Sequence, residues 1–87
     1  MSRTRKLLRR IIEGQSDAGI PFDRLCNLLR GLGFEERIRG GHHIFTRADV
    51  VEILNLQPQG GLAKRYQIKQ VMEVVMRYDL GRDYARD

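Results

Sequence analysis

The 87-residue sequence has one cysteine, no tryptophan and only two prolines, and none of its apolar runs is long. With Cys26 alone there is no internal disulfide and no cysteine-based metal cage, and a buried core thiol in a reducing compartment is the expectation. Leu7-Leu8 and Ile11-Ile12 are parted by Arg9-Arg10, which leaves neither a membrane span nor the apolar core of a secretory signal. An arginine-rich start can imitate an organelle transit peptide, but Glu13 and Asp17 come early and serine is scarce, so a cytoplasmic protein is expected. Asp and Glu form no cluster with metal-site spacing. There is no Ser-His-Asp or Cys-His arrangement in sequence, and no glycine loop leading into Lys-Ser or Lys-Thr. Any chemistry is therefore expected to need no metal and no cofactor.

What is present describes one small domain. An apolar fraction of 41% with 31% charged residues is a globular balance, too rich in Leu, Ile and Val for a disordered chain. A domain of this size buries roughly 60% of the surface its unfolded chain exposes. The net charge of +5 is concentrated: Arg3, Arg5, Lys6, Arg9 and Arg10 supply all of it, and the remainder is balanced. Such a surface favours nucleic acid, an anionic membrane or an acidic protein, and composition does not choose among them.

Leu7, Leu8, Ile11 and Ile12 recur at helical spacing, so residues 3 to 13 read as a short basic helix ended by Gly14. Gln15 to Gly19 reads as a hinge that sets this helix apart as an accessory. Phe22, Leu25, Cys26, Leu29 and Leu32 mark a second helix, opened near Pro21 and closed by Gly31 and Gly33. The period then changes. Phe34 to Arg39, His42 to Arg47 and Val51 to Gln57 read as an antiparallel meander, its first turn at Gly40-Gly41 and its second at Ala48-Asp49. Gln57 to Gly61 is a loop, and Ile68, Val71, Met72 and Val75 mark a last helix ending near Gly81, with a frayed tail to follow. The expected class is α+β: an extra helix, then α-β-β-β-α, with helices on one face of the sheet.

Strand side chains alternate, so His42 and His43 point to opposite faces and do not share one metal without a bulge. Taking Phe45 as the core residue of its strand sends His43 and Arg47 inward, and His42, Ile44 and Thr46 to the open face. Leu54 and Leu56 look inward on the next strand, which gives Ile53, Asn55 and Gln57 the face of His42. Two isoleucines there leave two readings, partial cover by the first helix or a docking surface for a partner protein.

Read together, Gly40-Gly41-His42-His43-Ile44-Phe45 resembles the Gly-Ser-His-x-x-Phe signature of HicA toxins, and it follows a helix ending in Leu32-Gly33-Phe34. Phe22 to Leu80, about two-thirds of the chain, resembles a longer HicA subgroup. In that subgroup Asn55-Leu56-Gln57-Pro58 leads through a Gly-rich loop into Tyr66-Gln67-Ile68-Lys69-Gln70-Val71. The resemblance implies a double-stranded-RNA-binding-domain-like fold and a type II toxin that cleaves messenger RNA and blocks translation. It also implies neutralisation by a HicB antitoxin and a catalytic histidine at His42. The chain departs from the pattern at Gly41, where serine is usual, and in the basic helix before Phe22.

An imidazole at His42 is suited to take the proton of a ribose 2′-hydroxyl, so that the oxygen attacks the adjacent phosphate. His43, turned inward by parity, reads as structural. Gly40 and Gly41 serve a tight turn and also leave room for close approach of an RNA backbone. Arg37, Arg39, Lys64, Arg65 and Lys69 flank the site in sequence and are either phosphate contacts or a solvated surface. Tyr66 either stacks on a base or packs at the start of the last helix. Two rival readings stand beside the endoribonuclease: a catalytically silent RNA-binding module, and a protein that only assembles with a partner.

Overall fold

The structure, a computed structural model, describes residues 3–13 and 19–82. Its elements are α1 (Arg3–Ile12), α2 (Phe22–Gly31), β1 (Glu35–Arg39), β2 (His42–Arg47), β3 (Val50–Leu56) and α3 (Arg65–Arg77). The strands form one antiparallel sheet in the order β1-β2-β3, so the fold is α+β with the expected order of elements. No described helix is long and apolar enough to cross a membrane.

Local chemistry sets the boundaries. Pro21, at φ −60° and ψ 134°, precedes α2, and its carbonyl accepts from the N–H groups of Arg24 and Leu25. At the other end Gly33 takes φ +92°; its N–H donates to the Arg30 carbonyl at 3.0 Å, and that of Phe34 donates to the Leu29 carbonyl at 3.0 Å. This paired closure satisfies helix-end carbonyls and turns the chain directly into β1. The end of α3 repeats the device with Asp79 at φ 53°, where Leu80 N–H reaches the Val75 carbonyl. The helix therefore stops at Arg77, four residues before the glycine expected to end it, because an aspartate holds the left-handed position.

One core lies between the inner face of the sheet and the helices. Phe45, Leu54 and Leu56 from the sheet meet Leu25 and Leu29 of α2 and Val71 of α3 in a single buried cluster. Parity on the strands is as the sequence predicts, with Phe45, Leu54 and Leu56 inside and Thr46, Ile53 and Asn55 exposed. A bulge between Phe45 and Arg47 shifts the register near the second turn. Tyr78 ties α3 back to β3: its hydroxyl accepts from the Val51 N–H at 3.2 Å and donates to Glu52, which Arg77 also holds.

The first helix corrects one expectation. It is not an accessory: Leu7, Leu8 and Ile11 are buried, and α1 packs against α2 and α3. Gly81 is buried too, and a Cβ there would stand 2.9 Å from Ile12 Cδ1 and 3.4 Å from Leu8 Cδ2. Gly81 thus packs against the second half of α1 and belongs to the packed structure instead of the tail. Gly14, most of the expected hinge and residues 83–87 lie outside the described residues. With α1 on the helical side, the opposite face of the sheet has no cover among the described residues.

Candidate functional site

Gly40 and Gly41, at φ 51° and 83°, form the two-residue turn between β1 and β2. Positive φ at both central positions is what a tight hairpin of this hand requires, and it fixes the strands in register with no loop to spare. Arg39 faces His42 across the hairpin, and Arg37 faces Ile44 two residues further along. All four side chains therefore share the open face, with both arginines and His42 exposed. An added Cβ at either glycine meets nothing within 4 Å, so the turn itself borders open space.

β3 supplies the other half of the site. Asn55 pairs with Ile44, which sets it diagonal to His42, within reach across an antiparallel ladder. Its Oδ1 lies 3.0 Å from His42 Nδ1. The second ring nitrogen, Nε2, has no hydrogen-bond partner among the described residues. Further along the same face Val51 and Ile53 are 88% and 65% exposed, an apolar surface continuous with the polar one. Ile38, at 61% exposure, lies instead at the edge of the inner side, since it pairs with His43.

His43 turns the other way. Its Nδ1–H donates to Glu36 Oε2 at 2.7 Å, while Arg30 donates to Glu36 Oε1 through Nε at 2.9 Å and Nη2 at 2.6 Å. Phe22 meets the ring edge-on with centroids 4.9 Å apart. Burial alone would raise the Glu36 carboxyl, but the hydrogen bonds from His43 and Arg30 and their charges outweigh it and hold it below its usual range. Beneath this pair lies Cys26, whose thiol is pushed up to about 11, first by burial and then by the Glu36 carboxylate. Cys26, Glu36 and His43 bring ligand-type atoms within 4.8 Å of one another, a grouping hidden in the sequence by its spread over three elements. Arg30, already bonded to the same carboxylate, makes this an ion-pair network anchoring β1 to α2 and sets a positive charge against any cation there.

The basic residues divide. Arg37 and Arg39 are brought to His42, whereas Lys64, Arg65 and Lys69 stand at the start of α3, the helix that covers the inner side of the sheet. They do not share the open face. Lys64 Nζ instead lies 5.9 Å from the centre of the exposed Tyr66 ring. Gln67, one place further on, is fully buried; with its side-chain amide turned to match its surroundings, the nitrogen donates to the Gln57 carbonyl and the oxygen accepts from the Gln57 N–H, at 3.1 and 3.0 Å. This pins the end of β3, and with it the frame that carries Asn55.

Sequence parity had placed Asn55 beside His42 without giving it a role; the diagonal step that joins them follows only from the β2–β3 register. No family model matches the chain, and neither the curated proteins nor the solved structures contain a match to it.

Proposed function

We propose that the protein is a metal-independent endoribonuclease of the HicA type, the toxin of a type II toxin–antitoxin pair, acting on messenger RNA in the cytoplasm. The carrying observation is that His42 stands exposed on the uncovered sheet face with Arg39 directly opposite it and one ring nitrogen open to a ligand. The α-β-β-β-α order with all helices on one side fits a double-stranded-RNA-binding-domain-like fold.

In this reading Arg37 and Arg39 hold backbone phosphates, and His42 takes the proton from a ribose 2′-hydroxyl. The 2′-oxygen forms a bond to the adjacent phosphorus as the bond to the 5′-oxygen breaks. The departing oxygen takes a proton from water or from the imidazolium. Such base assistance supplies about 10² to 10⁴-fold, or roughly 3 to 5 kcal/mol of barrier lowering. Val51 and Ile53 on the same face support a protein partner that covers it, a HicB-like antitoxin in this reading.

The test is cleavage of messenger RNA by purified protein in excess chelator, with His42→Ala alongside. Cleavage lost in the folded variant and retained with chelator supports the reading. Equal cleavage by the variant refutes the assignment of His42. Salt-dependent RNA binding with no product from either protein would favour the silent binding module.

A further inference from the structure

We infer that Asn55 is a positioning residue, which fixes His42 in the Nδ1–H tautomer and so presents Nε2 as the proton acceptor on the open face. The inference rests on the nuclease reading for its consequence, but its physical content is separate from it. As Asn55 is oriented, its amide oxygen faces His42 Nδ1 at 3.0 Å, and because that oxygen only accepts, this orientation goes with the proton on Nδ1; the turned amide would go with Nε2–H, and the two are told apart by the nitrogen spectrum. An imidazole's tautomer is set by the bond its other nitrogen makes. Free imidazole side chains favour the opposite form, with the proton on Nε2, which has no lone pair to offer there. Left alone in water, His42 would mostly present the wrong nitrogen state to a 2′-hydroxyl.

The two adjacent histidines make the point by contrast. His43 receives a carboxylate, Glu36, on its Nδ1 and sits half-buried under Phe22, as a structural pair. His42 receives a neutral amide on its Nδ1 and stays exposed. An amide orients the ring and selects its tautomer without adding a charge that would hold the imidazole protonated. Arg39, directly across the hairpin, and Arg37 share this face with His42. Asn55 itself is held by the β2–β3 pairing and by the bonds from Gln67 to the neighbouring Gln57 backbone, so it is a fixed reference for the ring.

The experiment is nitrogen NMR of the imidazole rings in the intact labelled protein, beside RNA cleavage by the parent, Asn55→Leu, Asn55→Asp and His42→Ala. In the parent, Nδ1 of neutral His42 should carry the proton and Nε2 should be the unprotonated nitrogen. Asn55→Leu should move the ring toward the Nε2–H form and lower kcat about ten- to a hundredfold with little change in KM, a part of the roughly 10² to 10⁴-fold that a positioned general base supplies. Asn55→Asp should keep the tautomer, restore much of kcat and move the acid limb of the pH profile upward. An Nε2–H ring in the parent, or full kcat in Asn55→Leu, overturns the inference. Undiminished cleavage by His42→Ala is a different failure: it removes the nuclease role of His42, and the nitrogen spectrum then decides the tautomer by itself.

Discussion

Glu36 receives His43 on one carboxylate oxygen and Arg30 on the other, so a single acid on β1 is held by a strand and a helix at once. Because its carboxyl titrates below the usual range in the fold, the unfolded chain binds the proton more readily. The stability this gives is therefore complete above the unfolded value near 4.5 and is lost as pH falls through the lower folded value. The stability gap between the parent and Glu36→Gln, followed by urea unfolding from pH 7 downward, should narrow below about pH 4.5. A gap that stays constant through that range would mean that Glu36 holds β1 by packing alone.

Leu8 is fully buried where α1 meets the rest of the core. Leu8→Ala should cost about 2 to 5 kcal/mol, the range for a leucine emptied from a packed interior. Thermal melting with unchanged RNA cleavage at low temperature would locate the loss in the fold. A variant as stable as the parent would return α1 to the accessory status that its sequence setting implied.

Arg37 and Arg39 share the face of His42, and Lys69 does not. If RNA lies on that face, replacing either arginine with glutamine should reduce the slope of log affinity against log salt by about 0.7, the contribution of one phosphate contact on a single strand. Lys69→Gln should leave the slope unchanged. The reverse pattern would move the RNA to the helical side of the molecule.

Gly41 stands at φ 83° with open space where a side chain would go. Gly41→Ser therefore brings backbone strain and no collision, and should lower stability by about 1 to 2 kcal/mol. Cleavage per folded molecule, compared at a temperature where both are native, then reads any help from the hydroxyl directly. A loss much above this range would show that the turn tolerates only glycine.

Much of this was legible in the residues. Alternation of Phe45, Leu54 and Leu56 against His42, Ile53 and Asn55 placed both faces of the sheet, because a strand pattern has only two solutions and burial selects one. The end of α3 was less visible: Asp79 does the work of a glycine, and nothing local marks an aspartate as left-handed. The packing of α1 was hidden for another reason, since an amphipathic stripe says that a helix is covered but not by what. Three-dimensional groupings were out of reach altogether. Cys26, Glu36 and His43 meet only once α2, β1 and β2 are assembled, and the step from Asn55 to His42 depends on a register that spacing does not give.

The Tyr78 hydroxyl described above occupies the backbone donor of Val51 on the outer flank of β3, while the outer flank of β1 is written Glu35-Glu36-Arg37-Ile38-Arg39. An incoming chain that tried to lengthen the sheet would find a spent hydrogen bond on one side and closely spaced charge on the other, which is how small sheets escape growth into fibres. Sheet extension is therefore opposed by charge along β1 and, at the start of β3, by a donor already in use.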